Sequence, residues 1–218
     1  MAASSQQSVQ VWDPFVRVFH WSLVVAFLAA YFVEPEGSNL AVHVWAGYAV
    51  GGLVVLRIIW GFIGPKHARF SDFLFGPFAA LRYLFSILGG NSKRYLGHSP
   101  AGAWMVFALL TGLSATVISG MSYYGQAENK GPLGAVFAET KGATAATGPA
   151  LADEENSDDD AAARPDDDED ERLEELHEVF ANLTLVLALL HIGGVILASF
   201  AHHENLARAM ITGRKRPE

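Results

Sequence analysis

The stretch LAVHVWAGYAVGGLVVLRIIWGFI, Leu40–Ile63, decides the fold of this chain. A helix needs roughly 20 predominantly apolar residues to cross the ~30 Å hydrocarbon core of a bilayer, and this stretch is 24 residues long and mostly apolar. It contains one histidine, His43, near its beginning and one arginine, Arg57, near its end. Because ionisable groups are costly inside a membrane, both side chains are functional candidates.

The whole chain is apolar. Of its 218 residues 51% are hydrophobic and only 17% are charged, and the mean hydropathy is +0.23. Soluble domains carry more charge than this. Three further stretches are long enough to span a bilayer as helices, namely Phe15–Val33, Gly102–Met121 and Val179–Ala201. The sequence therefore predicts an all-α integral membrane protein, a bundle of four transmembrane helices.

Two apolar stretches allow an interpretation other than a spanning helix, namely a signal peptide for the first span and an interfacial helix for a shorter run. The first span contains Arg17 and His20 and runs directly into the second, so it is not expected to be a cleaved signal peptide. The run Phe78–Leu88 is too short to span and is interrupted by Arg82, which predicts an interfacial helix.

The basic side chains predict the orientation. Short loops rich in lysine and arginine stay on the cytoplasmic side. The connection at 64–101 and the C-terminal tail are both basic, through Lys66, Arg69, Arg82, Lys93, Arg94, Arg208, Arg214, Lys215 and Arg216. We therefore expect both termini to be cytoplasmic, with residues 1–124 forming spans one to three and residues 173–218 forming span four and the tail.

An acidic stretch separates spans three and four. Between Gly125 and Glu175 lie 16 of the 23 acidic and 4 of the 15 basic side chains, a net charge of -12 that leaves +4 for the rest. We expect 125–172 to be an external loop, disordered between Gly142 and Glu171, because this composition cannot bury enough apolar surface to offset chain entropy. It could steer a basic partner or act as a solvated spacer, and no nucleic-acid partner is expected.

The chain has no cysteine, which excludes disulfides, thiolate-bound clusters and covalently attached haem. Histidine remains as the metal ligand, and four of the eight histidines lie in or at the ends of spans: His20, His43, His177 and His191. The last two are 14 residues apart, about 21 Å along a helix and on one face.

On the predicted topology these four histidines form two pairs at matched depth. His43 and His177 lie on the outer side, and His20 and His191 on the inner side. Facing imidazoles on separate helices can ligate haem iron, and two such sites stacked across the bilayer form an electron path. The alternative is four scattered histidines that bind no metal. Zinc fits less well, since the pairs lie too far apart to close one tetrahedral site.

Three more residues are candidates for holding a cofactor. Arg17 precedes His20 by one turn, and Arg57 lies on the face of span two that carries His43, so either guanidinium could bind a haem propionate. Anchoring at the membrane surface is the alternative for both. Gly47 would let a flat macrocycle approach, or would serve helix packing. The remaining histidines, including His98, are read as interface residues.

Several motifs resemble the bacterial cytochrome b561 and nickel-hydrogenase b-type cytochrome family. They are RVFHW (Arg17–Trp21), HVWAGY (His43–Tyr48), RIIWGFIGPKHARFSDFLFGP (Arg57–Pro77), GHSPAGAWM (Gly97–Met105), ELHEVFANL (Glu175–Leu183), LHIGGV (Leu190–Val195) and NLARAMITGRKRP (Asn205–Pro217). They cover nearly the whole chain except its first ten residues and the acidic stretch, which departs from the family pattern.

The resemblance implies four transmembrane helices that hold two non-covalent b haems in the bacterial inner membrane. The ligands implied are His20, His43, His177 and His191, and no side chain is assigned a catalytic role. The expected function is electron transfer between the quinone pool and an external redox protein such as a soluble cytochrome c. The alternatives are the membrane-anchor cytochrome b of a nickel–iron hydrogenase, and a transporter or other membrane subunit without redox activity.

Overall fold

The computed structural model describes residues 8–33, 35, 37, 39–128, 130–134 and 165–217. Its elements in chain order are β1 (Val9–Gln10), α1 (Pro14–Phe32), α2 (Asn39–Ile63), a short 3₁₀ turn (Phe70–Asp72), α3 (Pro77–Leu88), α4 (Pro100–Glu128), α5 (Pro165–Ala201), α6 (Leu206–Thr212) and β2 (Arg214–Lys215). Four of these helices, α1, α2, α4 and α5, are long and apolar enough to cross a membrane. The predicted all-α fold with four spanning helices is confirmed to this extent.

The spanning helices keep most of their surface outside the protein core. In the most apolar 18-residue segment of each helix, only 6–22% is buried inside the protein. The side chains of Trp45, Phe62 and Phe200 are each more than 70% exposed. Apolar side chains are stable at such positions when lipid, rather than water, is their neighbour. Helix α3 is too short to span a membrane. It buries Tyr83 and Ile87 against the protein and exposes Phe78, Phe85 and Leu88.

The start of α1 and the end of α6 are encoded locally. Asp13 caps α1, its carboxylate accepting a hydrogen bond of 3.1 Å from the Val16 N–H, and Pro14 follows at the first helical position. Helix α6 ends at Gly213, which has a left-handed φ of 77°. A Cβ there would approach the Trp12 carbonyl oxygen to 2.7 Å, so both the conformation and the space require glycine.

A terminal clasp, formed by β1 and β2, joins the two ends of the described chain. The strands are antiparallel, with Val9 opposite Lys215, and the Val11 N–H donates to the Gly213 carbonyl at 2.8 Å. A small core of Val11, Trp12, Val16 and Ala68 lies against it. The sequence did not predict these strands. The two ends of the described chain thus lie on the same side of the spanning helices, as an even number of spans requires. That this side is cytoplasmic stays a prediction.

The acidic stretch is more helical at its ends than predicted. Helix α4 continues to Glu128 and α5 begins at Pro165, so the predicted loop at 125–172 is shorter at both ends. Acidic residues after Pro165 favour a helix N-terminus through the helix dipole. The helices also contact each other there, since Gln126 donates to Glu169 at 3.3 Å and Tyr123 to Glu174 at 3.1 Å. Residues 135–164, where most of the expected disorder falls, lie outside the described residues.

The chain divides into two compact units. The first is Met1–Ser114 with Leu183–Glu218, and the second is Ala115–Asn182. Of the predicted site residues only His177 belongs to the second unit. The first holds the others, namely Arg17, His20, His43, Gly47, Arg57 and His191.

Candidate functional site

The rings of His20 on α1 and His191 on α5 lie close together in the first unit. Their centroids are 6.4 Å apart, and the ring planes make an angle of 56°. Two imidazoles that bind one metal ion from opposite sides, each at the usual nitrogen–metal distance of about 2.0–2.1 Å, have centroids about 6 Å apart. The spacing of this pair therefore fits a single iron between the two rings.

His20 also carries an unsatisfied polar atom. Its Nδ1 is buried and has no hydrogen-bond partner among the described residues, while the ring contacts Trp21 edge-on at 5.1 Å. A buried polar atom without a partner costs about 1–3 kcal/mol. A group bound between α1 and α5 that reaches this ring would remove that cost.

His43 is oriented by the helix that precedes it. Its Nδ1 lies 2.8 Å from the carbonyl oxygen of Ala30 on α1, close to the end of that helix. With Nδ1–H as the donor, Nε2 is the ring nitrogen that carries the lone pair. Metal-binding histidines commonly make such a bond, which fixes the tautomer and the ring orientation. The chemistry of His43 therefore fits a ligand that binds through Nε2.

His177 has the same kind of support in the second unit. Its Nδ1 lies 2.9 Å from the Thr116 carbonyl oxygen and 3.4 Å from the Ser119 hydroxyl, both on α4. Gly120 makes room for the ring, because a Cβ there would come within 2.7 Å of the ring carbon Cε1. Sequence reasoning missed these three residues. The signal that could have indicated them is the occurrence of two hydroxyl-bearing residues and a glycine, Thr116, Ser119 and Gly120, within about one turn of an otherwise apolar span.

The predicted outer pair has one member in each unit, since His43 belongs to the first and His177 to the second. Each ring has its own carbonyl partner, as described above. That the two share one iron stays a prediction.

The two predicted propionate partners both have unsatisfied donors. Arg57 is only 3% exposed, lies over the Phe70 ring at 5.1 Å, and has a buried Nη1 without a partner in the described chain. Arg17 donates from Nη2 to the Ile211 carbonyl, while its buried Nε has no partner there. Guanidinium groups bind carboxylates through paired hydrogen bonds. These atoms fit the carboxylate groups of a haem.

Gly47 faces open space. A Cβ built at this position would meet nothing within 4 Å. The position can therefore accommodate a macrocycle, a lipid or a neighbouring helix, and its role in cofactor binding stays a prediction.

The remaining histidines lie in other surroundings. His67 pairs with Asp72 at 3.0 Å, and His202 lies 3.1 Å from the Tyr83 hydroxyl. The ring of His98 packs between Trp12 and Phe73. No group of three or more His, Cys, Asp or Glu among the described residues could hold a metal ion. Pairs of histidines suit haem, because the macrocycle supplies the other four ligands of its iron.

Comparison with known proteins gives the same family as the motifs. The Rhizobium leguminosarum bv. viciae protein named "Probable Ni/Fe-hydrogenase B-type cytochrome subunit" is 27% identical over 152 aligned positions, which cover 57% of this chain and 63% of that protein. A Rhodobacter capsulatus protein of the same name is 22% identical over 241 aligned positions, which cover 95% of this chain and 81% of that protein.

No solved structure matches this chain significantly. The family model described as prokaryotic cytochrome b561 matches residues 11–213, a range that includes all four spanning helices and every predicted ligand. With four helices long and apolar enough to cross a membrane and half-buried histidines on three of them, the chain is a multi-pass membrane b-type cytochrome that belongs to the prokaryotic cytochrome b561 family.

Proposed function

We propose that this chain binds two b haems and carries electrons across the bacterial cytoplasmic membrane, between the quinone pool and a redox protein on the outer side. The observation that carries the proposal is the 6.4 Å separation of the His20 and His191 ring centroids. It supports one bis-histidine site between α1 and α5. The carbonyl-bonded rings of His43 and His177 support a second site.

In this proposal the protein supplies ligands, charge and insulation, and each bound haem supplies a one-electron couple at its iron. His20 and His191 hold the inner iron, and His43 and His177 the outer iron. The Ala30 and Thr116 carbonyls keep Nε2 of their histidines basic and correctly turned. Arg17 and Arg57 bind propionates. The apolar helices keep water away from the path between the two sites.

We further propose a hydrogenase as the outer partner. Both relatives described above carry the name of a nickel–iron hydrogenase cytochrome subunit. A soluble cytochrome c is the second candidate. The net charge of -12 between Gly125 and Glu175 supports it, because an acidic external surface attracts a basic protein.

A haem assay on the purified protein tests the central claim. We expect two haems per chain in a pyridine haemochrome assay, both released by acidified organic solvent because no cysteine tethers them. A colourless protein that lacks haem after expression with ample haem supply would favour the membrane subunit without redox activity. Co-purification with a hydrogenase, compared with reduction by a soluble cytochrome c, separates the two partners.

A further inference from the structure

His98 packs against aromatic side chains in the loop that precedes α4. Its ring centroid lies 4.8 Å from that of Trp12, in an edge-on arrangement, and 4.2 Å from that of Phe73. Trp12 and Phe73 are only 7% and 2% exposed. These two contacts restrict the position of the imidazole. His98 therefore packs against the core of the first unit, and its interpretation as a residue at the membrane interface stays a prediction.

The polar edge of His98 has no partner among the residues that the structure describes. Its Nδ1 is buried and makes no hydrogen bond there. Burial is the main cause that lowers the pKa of His98 to about 3, with smaller contributions from the nearby charges of Arg57 and Lys215 and from His67 and His191. The ring is therefore neutral at pH 7 and carries one N–H. Trp12, which the His98 ring contacts, comes just before α1, and the first two turns of α1 carry Arg17 and His20, so His98 lies at the same end of the first unit as the His20–His191 pair.

Arg57 brings a second unsatisfied donor to the same aromatic cluster. Its guanidinium lies over Phe70, and the Phe70 and Phe73 rings are 5.9 Å apart. His98 and Arg57 thus pack against neighbouring rings, and each has a buried nitrogen without a partner in the described residues. Two buried donors in an apolar setting, one of them a cation, suit an anion with two acceptor oxygens.

The charges around these donors also favour an anion. Lys215 is only 7% exposed and lies 5.6 Å from the Trp12 ring centroid. Two acids lie nearby, and both already accept hydrogen bonds: Asp13 from the Val16 N–H at 3.1 Å and the Trp60 indole at 3.5 Å, and Glu204 from Arg94 at 3.0 Å. The buried Nη1 of Arg57 thus has no acid to bind among the described residues, and a bound carboxylate would supply one.

We propose that His98 donates a hydrogen bond to a propionate of the haem bound between His20 and His191, and that His98 and Arg57 together form a buried carboxylate-binding pocket. This inference rests on the proposed haem site. His98 is a positioning residue here and not an iron ligand. By offsetting the negative charge of the propionate, the N–H donor raises the reduction potential of the inner haem.

The test compares His98→Leu, which cannot donate, with His98→Gln, which can donate through its amide. Both are measured as purified holoprotein, with haem content and the midpoint potential of each haem from a spectroelectrochemical titration. We expect the Leu variant to lower the potential of one haem, the same haem that disappears in His20→Ala, and the Gln variant to stay near wild type. His202→Leu, which removes the bond to Tyr83, is the matched control and should move neither haem.

Each outcome decides the inference. A lowered inner potential in the Leu variant, or loss of that haem with retention in the Gln variant, supports the N–H donor. Equal effects of Leu and Gln would overturn it, because ring packing alone would then be responsible. A shift of the other haem, or of neither, would overturn it too. If the wild-type protein binds no haem, the proposed function itself fails, which the haemochrome assay detects first.

Discussion

Gly120 on α4 lies directly against the imidazole of His177 on α5. A Cβ at position 120 would come within 2.7 Å of Cε1 and 2.8 Å of Nδ1 of that ring. Real Cβ atoms do not approach other atoms so closely, and the ring is held by its bond to the Thr116 carbonyl. The orientation of a predicted haem ligand thus depends on a missing side chain on the opposite helix.

Gly120→Ala should therefore displace His177 and weaken the outer haem site. We expect loss of one haem of the two, or a clear change in its spectrum and potential, with the inner haem retained. Gly52→Ala is the control, because a Cβ there meets nothing within 4 Å. Full retention of both haems in Gly120→Ala, with unchanged potentials, would contradict this role.

The pairing of ligands gives a second prediction. If His20 and His191 bind one iron, His20→Ala and His191→Ala should each remove the same haem, seen as loss of the same optical band and the same redox step. His43→Ala and His177→Ala should both remove the other haem. Loss of different haems in His20→Ala and His191→Ala would contradict the assignment, and a circular dichroism spectrum confirms that each variant is folded.

The C-terminal tail should loosen in acid through Glu204. Burial acts to raise the pKa of this carboxyl, but hydrogen bonds from Arg94 and the Arg216 N–H, with the charges of Arg94 and Lys215, lower it overall. A lowered folded-state pKa gives stability that is present above the unfolded value and is lost as the pH falls through the folded value. A protease that is active in acid should therefore cut residues 206–217 faster, relative to an unstructured peptide of the same sequence, as the pH falls through the folded-state pKa of Glu204.

Arg94→Gln should remove most of that stabilisation at pH 7, about 1–3 kcal/mol for hydrogen bonds to a charged group. It should also flatten the dependence of tail cleavage on acid exposure. Glu204→Gln is the matched variant, because it keeps the shape and removes the titrating group. If the cleavage rate of the Glu204→Gln protein rises in acid as steeply as that of wild type, another group is responsible.

The acidic stretch should affect the partner and leave the haems in place. Replacing residues 142–164 by a short Gly/Ser linker retains α5 from Pro165 onward, together with His177. We expect two haems to remain, and electron transfer to a cationic cytochrome c to slow at low ionic strength. The rates should converge at high salt, since screening at 0.15 M acts over about 8 Å. Equal rates at low salt would identify the stretch as a spacer.

Hydropathy predicted the spanning helices because the signal is local, and it set the C-terminal ends of α2 and α5 correctly at Ile63 and Ala201. It missed the last turns of α4 and the first turns of α5, since helix beyond the hydrocarbon needs no apolar side chains. Counting turns placed His20 and His191 at one depth, and their rings do lie together. The ligation of iron by this pair stays a prediction.

Other features could not be predicted from the sequence because they depend on packing between distant segments. Strands of two residues carry no periodicity, so β1 and β2 left no signal. The need for glycine at position 120 arises only once α5 lies against α4. The packing of His98 requires Trp12 and Phe73, which come from two other segments of the chain.

The terminal clasp also has a consequence for biosynthesis. Val9 is made before the four spanning helices, and its partner Lys215 only after them. The first span must therefore wait in the membrane with Trp12 and its strand unpaired until Gly213 and the residues after it have been made. A chain cut before Gly213 would keep every span and every predicted ligand, yet would lack the partner of its first strand. Pairing of the two strands is thus a late step of assembly, and an unpaired segment before α1 marks a chain that has not reached it.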